Sequence, residues 1–174
     1  MGIAIWGLPA GKPVEKSLAN KGLIDYIGSH DGRWPERNRG GVAMFSWQLD
    51  DELALLFLQP DMASELFRLC QRNRDYLSQW LPWVPHIQQP ADSATFIRHA
   101  IEKFARGEGL TTAIEYQGEV VGVIGYNQID QDLGKVTIGY WLAERWQGHG
   151  IITRACQALI HHAFEEMGME KVEI

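Results

Sequence analysis

Apolar and polar positions alternate along this chain with two distinct periods, and the longest regular pattern lies near its end. From Ile152, apolar residues recur at Ala155, Cys156, Leu159, Ile160, Ala163, Phe164 and Met167, a three-and-four spacing that predicts a helix with one buried stripe. Such a helix must lie on a sheet. Strands are predicted at Glu52 to Leu58, Leu110 to Tyr116, Val120 to Asn127 and Lys135 to Leu142, with a final one beginning at Lys171. Gln117-Gly118 turns the second into the third, a β-hairpin. Two further helices fit the spacing. Asp61 can cap one that runs to about Arg72 with Met62, Leu66, Phe67 and Cys70 inward, and Asp92 or Ser93 can start another with Phe96, Ile97, Ala100, Ile101 and Phe104 on one face. Gly107 and Gly109 end that helix. Between these two helices, residues 74–90 carry three prolines and the aromatic residues Tyr76, Trp80 and Trp83, so a loop is expected there.

Composition divides the chain. Residues 1–43 hold eight of the eighteen glycines and three prolines, without sustained periodicity, and are read as a poorly ordered N-terminal extension ahead of a domain over 44–174. Arg33, Arg37 and Arg39 could make that extension a basic docking arm, although loop arginines are usually only solvated. The extension contains six Lys/Arg against four Asp/Glu, while 44–174 contains ten against eighteen. An acidic domain repels a nucleic-acid backbone, so no direct nucleic-acid partner is expected. No apolar run approaches the roughly 20 residues that span a bilayer, and no secretory leader is seen. No membrane association and a cytoplasmic location follow as expectations. Cys70 and Cys156 fall on apolar helix faces and are read as reduced core residues.

The candidate chemistry sits where the last strand-helix junction turns, at Gln147-Gly148-His149-Gly150. Two glycines permit a tight turn and remove Cβ atoms that would block a ligand. The first helical amides have no internal partner and carry the positive end of the helix dipole, so they can hold a pyrophosphate. His161 and His162 are adjacent, about 100° apart around a helix, and cannot form the one-turn pair of a zinc site. No metal is expected. A nucleotide-triphosphate loop would need Gly-Lys-Ser/Thr where this chain has Gly-Ile-Ile.

At these residues the chain resembles the GNAT acetyltransferases, whose motif reads Gln/Arg-x-x-Gly-x-Gly/Ala. Gln147, Gly148, His149, Gly150, Ile151 and Ile152 match it, with Ile152 in place of the small residue. The run IGYWL followed by QGxGI and a large aliphatic residue is similar to the RimJ/RimL branch, the ribosomal-protein N-terminal acetyltransferases. The resemblance extends through residues 73–84 (NRDYLSQWLPWV), 118–127 (GEVVGVIGYN) and 157–162 (QALIHH). It implies an α+β, three-layer fold with a mixed, mostly antiparallel twisted sheet flanked by helices. It also implies acetyl-CoA as co-substrate, main-chain contacts from Trp141 and Leu142 to the pantetheine arm, and a pyrophosphate held by Gln147 to Thr153. Trp80 and Trp83 would lie on the acceptor side. The acceptor would be a protein N-terminal amine, such as that of a ribosomal protein, or a small amine such as an antibiotic or polyamine.

The proton-moving groups are less legible. Some relatives carry Glu where this chain has Thr137, so proton transfer would pass through water near Asn127, Tyr140 or Glu115. Family members continue beyond a strand equivalent to the one at Lys171, and the chain is therefore read as truncated at its C-terminus, with an exposed sheet edge open to aggregation or to a homodimer. A non-catalytic remnant that binds coenzyme A is the alternative to an active enzyme.

Overall fold

The computed structural model describes residues 45–174. Expectations for residues 1–44, including the extension and its three arginines, lie outside the described residues. Six strands form one sheet in the sequential order β1 to β6. They are β1 Ser46–Gln48, β2 Leu53–Phe57, β3 Leu110–Tyr116, β4 Glu119–Asp130, β5 Lys135–Leu142 and β6 Lys171–Glu173. All neighbours pair antiparallel except β5 and β6. Among the described residues four α-helices accompany the sheet: α1 Ala63–Arg72, α2 Arg74–Leu77, α3 Pro90–Ala105 and α4 Ile151–His161. Helix α4 is the crossover that makes the last pair parallel.

Helices cover both sheet faces, which explains why β2 and β4 read as continuous apolar runs. Ala54, Leu56, Ala113, Val123 and Trp141 pack with Leu66, Leu69, Leu77 and Ile97 on the face of α1 and α3. Leu53, Leu55, Ile114, Ile124 and Ile138 pack with Ile151, Ala155 and Leu159 on the face of α4. Cys70 and Cys156 are free and buried, one on each face.

Several boundaries differ from expectation, each for a local reason. Strand β1 was not predicted because it is a short edge strand with mostly exposed side chains, and so carries no apolar alternation. Asp61 does not cap α1: Pro60–Met62 forms a 3₁₀ turn, and the helix starts at Ala63 without a side-chain cap. Helix α3 starts at Pro90 rather than at Asp92 or Ser93, because proline suits the first helical position, where no N–H is needed. The Asp92 carboxylate instead reaches back to accept the main-chain N–H groups of Gln88 (2.8 Å) and Gln89 (3.0 Å). At the end of α4, His162–Glu166 forms a π turn, in which the wider repeat rotates the stripe. Ala163 stays buried, while Phe164, predicted inward, is 42% exposed. Tyr126 stabilises this junction from β4, its hydroxyl donating to the Leu159 carbonyl at 2.6 Å.

Among the described residues no helix is long and apolar enough to cross a membrane.

The N–H groups of Gln88, and then of Gln89, hold the Asp92 carboxyl below its ordinary range. Its stabilising contribution is therefore present at neutral pH and is lost as pH falls through the lowered folded-state value. Asp92→Ala is expected to lower Tm at pH 7, and the gap to the wild type should narrow near about pH 2 in paired thermal melts.

Candidate functional site

The glycine turn joins the end of β5 to α4 through a 3₁₀ turn at Glu144–Trp146. Gly148 (φ 77°) and Gly150 (φ 70°) are both left-handed, which is the conformation that selects glycine here. A Cβ at either position would meet nothing within 4 Å, so open space lies in front of the turn. The first helical bond runs from the Arg154 N–H to the Gly150 carbonyl at 3.0 Å. The amides of Ile151, Ile152 and Thr153 precede it and have no partner inside the helix.

Side chains brace this turn from behind. The His149 Nδ1 lies 2.8 Å from the Gln147 carbonyl and 3.2 Å from that of Trp146. Carbonyls only accept, so this nitrogen carries the proton. The Gln147 amide donates to the Tyr76 hydroxyl on α2. Asn73, between α1 and α2, accepts the Glu144 N–H at 3.0 Å and donates to the Leu69 carbonyl at 2.8 Å. Its neighbour Arg74 donates to the carbonyls of Val84 (3.0 Å) and Ile87, and so secures the tryptophan-bearing loop. One dipeptide thus fixes both the turn and the loop. The two arginines near the turn are already paired, Arg145 with Glu119 and Arg154 with Asp50 (2.6 Å). Any anion in front of α4 would therefore meet amides more than free cations.

Strand β5 borders this space. β6 pairs with it only at Lys135, Val136 and Thr137, while β4 stays paired with it up to Leu142. The Ala143 N–H donates to the Val121 carbonyl on β4 at 2.8 Å. By alternation, the main-chain groups of Tyr140 and Leu142 point to the opposite edge, and those of Trp141 point to β4.

On the α3 side of the sheet lies a cavity of about 620 Å³, lined by Trp83, Phe96, Lys103, Asn127, Thr137 and Trp141 among others. Trp83 and Trp141 stand with ring centroids 6.3 Å apart at 59°. A bulge interrupts the pairing of β4 with β5 between Tyr126 and Gln128. Asn127 is the extra residue, so it and Gln128 both reach the cavity although adjacent in sequence. The Asn127 side chain lies over Gly139, where an added Cβ would come within 2.0 Å of its Nδ2. Its two amide atoms are buried without a hydrogen-bond partner, as is the Trp83 indole nitrogen. Buried polar atoms left unpaired are costly, and they mark this cavity as polar at one end.

Of the residues singled out from the sequence, the cavity brings together Asn127, Trp83 and Trp141. Trp80 is 53% exposed and outside its lining. Tyr140 is 40% exposed and lies on the opposite sheet face from Trp141, because β5 alternates. Glu115 pairs with Val120 at the turn end of the hairpin, whereas Asn127 lies beyond Tyr126, which pairs with Leu110 at the other end. Tyr140 and Glu115 therefore do not converge with Asn127.

Lys103 was missed. Its spacing from Phe96 and Ala100 continues one ridge of the predicted helix stripe, and a charged residue on such a ridge was the available signal. Burial lowers its proton affinity. Asn73 and Arg74 stood inside a quoted motif, but their contacts cross the fold and leave no local pattern. Among the described residues no cluster of acidic, histidine or cysteine side chains could hold a metal.

A model of the acetyltransferase (GNAT) domain matches residues 52–174. YdaF of Bacillus subtilis (strain 168), whose name assigns it provisionally to ribosomal N-acetylation, is 32% identical over 135 residues, 75% of this chain and 72% of its own length. The ribosomal-protein-serine acetyltransferase of Escherichia coli (strain K12) is 33% identical over 115 residues, 66% of this chain and 64% of the relative. A solved structure of RimL, a ribosomal L7/L12 alpha-N-protein acetyltransferase in complex with coenzyme A, superposes with a TM-score of 0.67 at 28% identity. The match covers 71% of this chain and 69% of that one.

Gly150→Glu would force a side chain into a left-handed residue and place a carboxylate in front of the helix amides. It is expected to abolish coenzyme A binding in calorimetric titration, and unchanged affinity would remove the turn from the site. Asn73→Ala leaves the Glu144 amide to water and should weaken the same binding by about 1 kcal/mol.

Proposed function

Because the chain belongs to the GNAT acetyltransferase family, we propose that it transfers acetyl from acetyl-CoA to the N-terminal α-amine of a protein, with residues 44–174 as the catalytic domain. The observation that carries this reading is the cavity beside β5, apolar through Trp83, Phe96 and Trp141 and polar at Asn127. It is roomy enough for the first residue of an extended chain. The names of the ribosomal-protein acetyltransferases among the relatives support the same acceptor.

In this reading the amides from Gly148 to Thr153 hold the pyrophosphate, with Gln147 and His149 bracing the turn. The edge of β5 at Tyr140 and Leu142 offers main-chain groups to the pantetheine arm. Acetyl-CoA supplies an activated thioester carbonyl at the mouth of the cavity. The chain's part is to align a neutral amine with that carbon. A C–N bond forms, the C–S bond breaks with its electron pair on sulfur, and the amine releases one proton. Trp83 and Trp141 flank the acceptor, and the unpaired Asn127 amide gains partners when a polar acceptor enters.

Full-length protein incubated with acetyl-CoA should add one acetyl group to the α-amine of a serine-initiated peptide, as read by fragment mass spectrometry. An α-blocked peptide carrying a free lysine and a polyamine should react far more slowly. Turnover confined to the polyamine, or none at all, would overturn the proposed acceptor.

A further inference from the structure

We infer that the Lys103 ammonium keeps the acceptor amine neutral: a fixed cation in the acceptor cavity opposes a second positive charge and so replaces a carboxylate base. This inference rests on the cavity being the acceptor site.

Lys103 projects from α3 into the cavity that Asn127 and Thr137 line from the sheet. Its Nζ donates one hydrogen bond to the main-chain carbonyl of Asn127, at the β4 bulge. A carbonyl orients the ammonium without neutralising it. Among the described residues no carboxylate lies within ion-pair distance of this lysine.

The surrounding charges do not cancel it. Glu108 and Arg106 act on Lys103 with opposite signs, and they are bonded to each other at 2.9 Å. Glu102 and His99, also on α3, are exposed to solvent, which screens them. From α1, Cys70 faces the same space, and burial pushes its thiol up to about 12, so it stays uncharged. The sheet contributes Thr111, Asn127, Gln128 and Thr137, none of them ionisable. His99, Glu102 and Arg106 also line the cavity but are exposed, and Lys103 is the partly buried cation among them.

Like charges disfavour ionisation, and partial burial strengthens the effect. A protein α-amine titrates ordinarily near 8, against about 10.4 for a lysine side chain. Lowering the first by about one unit makes roughly half of it neutral at pH 7, while the second stays almost wholly protonated. The released proton passes to bulk water. The same charge that enables transfer therefore favours α-amines over alkylamines, without any contact that reads the acceptor's sequence.

The test is the pH dependence of kcat at saturating serine-initiated peptide in wild type, Lys103→Met and Lys103→Arg, which reports ionisation in the bound complex, with coenzyme A titration of each as a check on folding. Lys103→Met should lose about fivefold at pH 7 and regain nearly the wild-type rate by about pH 9, its acid limb displaced upward by about one unit. Lys103→Arg should keep the wild-type profile. An unmoved limb, or a loss equal at every pH, would make Lys103 a packing residue and overturn the inference. If Lys103→Met does not fold, Lys103→Gln is judged by the same criteria. A wild type inert toward the peptide would instead sink the acceptor reading beneath it, a result distinct from an unmoved limb in an active enzyme.

Discussion

A single carboxamide ties the two halves of this molecule together. Asn73 ends α1 and begins α2, and its side chain bridges the Leu69 carbonyl behind it to the Glu144 amide just beyond the end of β5. Glu144 opens the turn that leads to Gly148, Gly150 and the unpaired amides of α4. The next residue, Arg74, holds the carbonyls of Val84 and Ile87. The helix face that carries the tryptophan loop and the turn that faces the proposed cofactor are thus referenced to two consecutive residues. Each contact is worth little alone, on the order of 1 kcal/mol. Their value lies in common geometry, because a displacement at either side must be transmitted to the other.

Charge is arranged with similar economy. The arginines beside the glycine turn are committed to Glu119 and Asp50, so they shape loops and do not present free guanidinium groups. The turn's capacity for an anion comes from main-chain dipoles, which an acidic surface does not cancel. The opposite holds in the cavity. There the sheet offers only neutral polar groups, and the unpaired cation enters from a helix. The two halves of the proposed reaction would then rest on different physics, one on oriented amides and the other on a partly desolvated charge.

Much of this was legible in the sequence. The apolar period of α4, the Gln117-Gly118 hairpin and the glycine turn each depend on neighbours within a few residues, and local pattern reports them faithfully. What escaped depends on partners distant in sequence or on departures from ideal repeats. Strand β1 pairs without an apolar face. Phe164 obeyed a 3.6-residue period that the π turn breaks. Tyr140 and Trp141 are adjacent, and both suggested chemistry, yet strand alternation sends them to opposite sides of the sheet. Lys103 was passed over because its significance is a cavity assembled from elements far apart in sequence.

The β4 bulge has a genetic consequence. Pairing resumes beyond Asn127 with its phase shifted, so Gln128 faces the same layer as the residue before it. Loss of one codon there would leave composition, charge and nearly every side chain intact. It would nevertheless remove the carbonyl that orients Lys103 and the amide that lies on Gly139. In this strand residue count is itself a functional parameter, and in-frame indels should be more damaging than most substitutions.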